Sequence, residues 1–128
     1  MQNEKKNSDY KLEARLIDFA VKIIKICESL PKTKAGNHIT GQLVRCGTSP
    51  APNYGEAQDA ESRADFIHKM KICLKELRET RVWILLIKEA ELIKKLINLD
   101  YLIDESNQLI SIFVKSIKTP KTNMKNFE

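Results

Sequence analysis

Chemistry needs particular side chains at particular spacings, and the 128-residue chain offers few. His38 and His68 are isolated, with no H-x-x-x-H, E-x-x-H or paired-cysteine spacing nearby, so the metal-ligand patterns are missing. Cys27, Cys46 and Cys73 all fall at apolar-face positions and read as core filler and reduced thiols. They are odd in number and form no C-x-x-C pair, which suits a cytoplasmic protein. Gly36, Gly41, Gly47 and Gly55 make no phosphate-cradling loop, and no strand precedes them. Glu56, Asp59, Glu61 and Asp65 form an acidic cluster without a neighbouring nucleophile, as expected of a solvated face or a helix N-terminus. These residues predict no enzyme, no cofactor, no metal and no small-molecule substrate.

Basic side chains are the remaining candidates. Lys11, Arg15, Lys22 and Lys25 share one helical stripe, interrupted by Asp18. Lys71, Lys75 and Arg78 make a second. Either can follow phosphates, although solvated faces of a bundle look the same. Residues 9–113 hold 16 Lys/Arg against 15 Asp/Glu, so most of the net charge of +5 lies at the two ends. A nucleic-acid reader usually carries its basic face on the folded part. A tail bearing Lys115, Lys118, Lys121 and Lys125 gives weaker, salt-sensitive attraction. Aromatic residues are 6% of the chain, with no interleaved stacking platform.

The elements that position these groups are helical. Leu12, Leu16, Phe19, Ala20, Ile23, Cys27 and Leu30 recur at steps of three and four. They predict a first helix, capped by Ser8 or Asp9 and ended by Pro31. A second helix is predicted from about Asn37, carrying Ile39, Leu43 and Cys46. Pro50 and Pro52 interrupt it, and Thr48 or Ser49 is expected to cap a restart running to about Ala60. Ser62 and Asp65 resemble a capping box for a third helix through Phe66, Met70, Cys73, Leu74, Leu77 and Ile84. After a break within Glu89–Leu99, a last helix carries Leu102, Ile103, Ser106, Leu109, Ile110, Phe113 and Ile117. Four amphipathic segments with short connections predict an all-α, antiparallel up-and-down four-helix bundle over residues 9–118. Residues 1–8 and the basic tail 119–128 are expected to be disordered. Met1–Lys11 is polar throughout, and no apolar run reaches a membrane span's length of ~20 residues, so neither signal peptide nor membrane contact is expected.

Val82-Trp83-Ile84-Leu85-Leu86-Ile87 is apolar at six successive positions, all round a helix. One face enters the core. The other is covered either by a following loop and helix or by another subunit. Val82, Trp83, Leu85 and Leu86 are the candidate oligomer contacts.

Gln42-Leu43-Val44-Arg45-Cys46-Gly47-Thr48-Ser49 through Asn53-Tyr54-Gly55-Glu56-Ala57 resembles the four-helix bundle protein family, also called the ribosomal RNA intervening-sequence protein family. That family shows a Q-x-x-R…S-x-x-x-N-x-x-E-A pattern here. The likeness continues at Ala64–Lys69 and Leu74–Trp83 and covers about residues 12–117. Two prolines between Ser49 and Asn53, and Gly55, depart from the pattern. The resemblance implies a bundle that assembles into rings, commonly pentamers, without established enzymatic activity. It also implies accessory roles beside protein and nucleic acid, as in reverse-transcriptase systems. Its matched residues Gln42, Arg45, Ser49, Asn53, Glu56, Glu76 and Glu79 imply a polar network between helices two and three, with Arg45 expected to pair with Glu76 or Glu79 in a buried position.

Overall fold

The computed structural model describes residues 2–94 and 98–118, with side chains from Lys11 onward. Five helical segments follow one another: α1 (Gln2–Ser29), α2 (Lys34–Thr48), α3 (Pro50–Gln58), α4 (Arg63–Glu89) and α5 (Leu99–Lys118). Among the described residues there is no strand. The fold is all-α, and α2 with α3 forms one of its four rods.

The first helix starts at Gln2, earlier than its expected cap at Ser8 or Asp9. Nothing there breaks a helix: Gln2, Glu4, Lys5 and Lys6 are good formers, and adding residues to a nucleated helix costs little. The tail 119–128, like Met1, lies outside the described residues.

The second rod also differs from expectation. Thr33, not a residue near Asn37, caps α2, its hydroxyl accepting from the Gly36 amide at 3.0 Å. Gly36 sits there because a Cβ would stand 1.9 Å from the Pro31 carbonyl oxygen. No fresh cap forms before the prolines. Ser49 keeps helical angles (φ −65°, ψ −38°) and makes no side-chain cap bond. The Ser49 amide donates to Arg45 and the Asn53 amide to Ser49, each at 3.2 Å, so helical bonding passes through the junction. Pro50 and Pro52 withhold only their own two N–H groups, and Pro50 opens α3.

Ser62 caps α4, accepting from the Asp65 amide at 3.1 Å. The far end closes with Glu91 in the left-handed region (φ 52°). The Leu92 amide donates to Ile87 and the Glu91 amide to Lys88, both at 3.1 Å, which is the Schellman pattern. That turn sends the chain back along α5.

Going around the bundle, α1 packs on α2 and α3, these pack on α4, and α4 packs on α5. Arg15 and Glu105 close the circle between α1 and α5. Therefore α1 and α4 occupy opposite corners. The core takes Leu16, Phe19, Ile23 and Ile26 from α1 and Leu43, Cys46, Tyr54 and Ala57 from the second rod. Met70, Cys73, Leu77, Ile84 and Ile87 come from α4, and Leu102, Leu109 and Phe113 from α5. Tyr54 and Phe113 meet edge to face across it, centroids 5.9 Å apart.

α1 and α2 approach closely at Gly47, where a Cβ would lie 2.6 Å from Ile23 Cγ2. Gly41, six residues earlier on the same helix, has nothing within 4 Å of its Cβ position. Gly47→Ala should cost about 1–3 kcal/mol through overpacking. Gly41→Ala should gain about 0.5–1 kcal/mol, the helix-propensity difference. Urea melts of the two variants beside wild type check both signs.

Candidate functional site

Three surfaces carry the candidate residues: a polar seam between α2 and α4, a groove between α1 and α5, and the outer faces of α1 and α4.

The seam centres on Arg45. Its Nη1 donates to Glu76 Oε2 at 3.0 Å and its Nη2 to Glu79 Oε2 at 2.5 Å, with Gln42 Oε1 accepting at 3.4 Å. Glu79 Oε2 also accepts from Trp83 Nε1 at 3.1 Å, and the Trp83 ring meets His38 edge on at 6.0 Å. Arg45 thus bonds both acids, not one. The arrangement is not a buried pair, however. The Arg45 side chain is 51% exposed and only Glu76, at 12%, is well covered. An arginine stem long enough to reach α4 leaves its guanidinium at the rim. The other matched residues stand apart. Asn53 Nδ2 donates to the Ser49 carbonyl and hydroxyl at 3.0 and 2.9 Å. Glu56 takes Lys69 at 3.2 Å. The seven residues form three local groups along the α2/α3–α4 interface, not one network.

The basic residues divide in the same way. Arg15 is spent on α5: its Nε and Nη2 meet the two Glu105 oxygens at 2.8 Å each, and Gln108 accepts at 2.7 Å. Glu105 is buried on the apolar face of α5, between Leu102 and Leu109. An acid at that register needs a cation, and its place in an otherwise apolar stripe is the sequence signal for it. Arg15 therefore does not join a phosphate-following stripe. Lys22 bonds Asp18 at 2.7 Å and lies over the Tyr101 ring, 4.6 Å from its centroid. Lys11, Lys25, Lys71, Lys75 and Arg78 are exposed, with no hydrogen bond or ion pair among the described residues.

A groove of about 500 Å³ opens between the later turns of α1 and the start of α5. Lys22, Lys25, Ser29, Asn98 and Tyr101 supply its polar groups, above an apolar floor of Ile26 and Leu102. Asn98 Oδ1 caps α5 by accepting from the Tyr101 amide at 3.0 Å.

Of the candidate oligomer contacts, Val82 and Leu86 stand on the outer face of α4 at 51% and 48% exposure. Trp83 and Leu85 are half-buried, Trp83 packing on the core. Ile84 and Ile87 are fully inside.

The thiols are chemically quiet. Burial pushes Cys27 and Cys46 up to about 11 and Cys73 up to about 12, so all stay protonated at neutral pH. Among the described residues, no group of His, Cys, Asp and Glu is placed to hold a metal ion, and no helix is long and apolar enough to cross a membrane.

The profile of the 23S rRNA-intervening sequence protein family matches residues 8–114, from the first helix almost to the end of the last. The chain belongs to that family. A crystal structure of a protein with unknown function, from the S23 ribosomal protein family of Bacteroides thetaiotaomicron VPI-5482, has the same fold. Its sequence is 32% identical, the match covers 87% of this chain and 98% of that one, and the TM-score is 0.77. No curated protein matches.

In this member of the intervening-sequence family the Glu79 carboxyl titrates below its ordinary 4.5, because Trp83 and then Arg45 donate to its charged form. A lowered folded value gives stability that is fully present above about pH 4.5 and lost as pH falls through that lower value. The margin of wild type over Glu79→Gln should therefore hold at neutral pH and shrink from about pH 4 downward. Thermal melts of both proteins across this range read the margin. Equal melting temperatures at neutral pH would contradict it.

Proposed function

We propose that this protein is a non-enzymatic helical-bundle module that works as a homo-oligomer. Five copies is the number the family resemblance implies. Its role is that of an accessory factor to a ribonucleoprotein or nucleic-acid system in the cytoplasm, where its thiols stay reduced.

One observation carries the association: Val82 and Leu86 stand about half exposed on the outer face of α4, one turn apart. A branched apolar side chain left in water forgoes part of the ~1.5–3 kcal/mol its burial returns. A second surface is the means of recovering it, and such patches mark association sites. The non-enzymatic part rests on chemistry. The thiols are held protonated, and Glu56, Asp59 and Glu61 of the acidic cluster face solvent.

Light scattering should give a mass several times 14.7 kDa for the protein at micromolar concentration. Leu86→Asp should bring it down while the helical circular dichroism stays intact. A wild type that runs at 14.7 kDa would remove this reading.

A second reading, direct binding of single-stranded nucleic acid, is favoured by the α1–α5 groove. Lys25 supplies a cation with no bond among the described residues, and the half-exposed Tyr101 offers a ring face at the groove wall. Base stacking on such a ring is worth ~1–3 kcal/mol. Filter retention of a labelled RNA oligonucleotide should fall steeply with salt and weaken about fivefold or more in Tyr101→Ala. Absence of retention at low salt would exclude it.

A further inference from the structure

Six large apolar side chains stand exposed among the described residues, and five of them form two stripes. The sixth, Tyr101, borders the groove. On α1, Glu13, Ile17, Val21, Ile24 and Glu28 recur at steps of four, four, three and four, which is one face of a helix. On α4, Lys75, Arg78, Val82, Leu86 and Glu89 recur at steps of three, four, four and three. Both are outer faces, since Leu16, Phe19 and Ile23 of α1 and Leu77, Ile84 and Ile87 of α4 fill the core.

Two features decide how these stripes are covered. First, α1 and α4 sit at opposite corners, so within one copy neither stripe can reach the other. Second, the stripes differ in charge. The α1 stripe is bounded by acids at both ends, whereas the α4 stripe is headed by two bases and ends on one acid, Glu89. Glu13, Glu28, Lys75 and Arg78 are exposed and make no hydrogen bond or ion pair among the described residues. Laying α1 on a second α1 sets carboxylate near carboxylate. Laying α4 on a second α4 leaves the α1 stripe in water. Only α1 against α4 covers both stripes, and it brings one of the two α1 acids to Lys75 and Arg78.

The geometry points to a head-to-tail interface, in which the α1 stripe of one copy lies on the α4 stripe of the next. It rests on the homo-oligomer reading above and adds the other half of the contact and its symmetry. Each copy presents one surface of each kind, so copies add in one direction until the rotation closes a ring. A two-fold dimer through α4 alone is the competing arrangement.

Mixing two blocked variants separates the arrangements. Ile17→Asp spoils the α1 surface and Leu86→Asp the α4 surface. Both positions face solvent, so both proteins should keep their helical circular dichroism. Alone, each should weigh 14.7 kDa by light scattering. Mixed in equal amounts, they should form a dimer of twice that mass and stop there. The intact α1 stripe of the Leu86 variant then meets the intact α4 stripe of the Ile17 variant, and no sound pair is left for a third copy. If either aspartate variant loses its helical signal, Val21→Lys and Val82→Glu replace them with the same expectation. An α1 variant that keeps the wild-type oligomer mass overturns the head-to-tail contact and leaves the oligomer reading standing. So does a mixture that stays monomeric. A monomeric wild type sinks the oligomer reading itself.

Discussion

Each helix of a four-helix bundle can give the core one stripe about a hundred degrees wide, and that limit governs this molecule. The second rod and α5 keep within it, their buried positions filling one face each. The longer helices exceed it. α1 buries Leu16, Phe19, Ile23 and Ile26 and still carries Ile17, Val21 and Ile24 outside. α4 buries Leu77, Ile84 and Ile87 and still carries Val82 and Leu86. Gly47 packs closely against Ile23, so the α1–α2 contact has no room to take in a further side chain. The surplus is a property of the sequence and the fold together, and it is the physical basis for reading the chain as one part of an assembly.

Polar contacts set the register within this frame. Three of the four neighbouring pairs of rods carry a charged or amide link at the rim; α1 and the second rod meet without one. Arg15–Glu105 joins α1 to α5, Arg45 with Glu76 and Glu79 joins α2 to α4, and Lys69–Glu56 joins α4 to α3. Lys88–Asp100 and the Arg81–Asn107 hydrogen bond tie α4 to α5. Exposed pairs of this kind add little stability, because water screens them and ordering the side chains costs entropy. Arg15–Glu105 is different, since Glu105 is buried and would be left uncompensated without its bidentate partner. Among the described residues no buried side-chain nitrogen or oxygen lacks a partner.

The rods were legible from local periodicity. Leu16, Phe19, Ile23 and Leu30 mark α1, Ser62 marks the start of α4, and Leu102, Leu109 and Phe113 mark α5. What stayed hidden depends on relations that no local pattern expresses. Pro50 and Pro52 look like a break, yet Ser49 on their N-terminal side holds helical angles and the bonds on either side bridge the gap. Arg15 looks like part of a basic stripe until its partner, 90 residues away, is placed beside it. The outer stripe of α1 is masked by the inward one, because Ile17, Val21 and Ile24 sit one position from core residues and blend with them. On α4 six apolar residues in succession leave no such ambiguity.

Association and polyanion binding need not compete for the same side chains. The stripes that face outward on α1 and α4 would be consumed by neighbouring copies. The groove with Lys22, Lys25 and Tyr101 instead lies where α1 meets α5. Head-to-tail packing would therefore repeat that groove once per copy, in the same orientation relative to the ring. A single groove with one uncommitted lysine, on a body whose charges nearly cancel, holds a polyanion weakly. Several grooves fixed on one scaffold bind one strand as linked sites, and their affinities compound through effective concentration. On this argument the oligomer is what makes the nucleic-acid reading physically adequate, and a nearly neutral bundle can serve a nucleic-acid system without a basic face of its own.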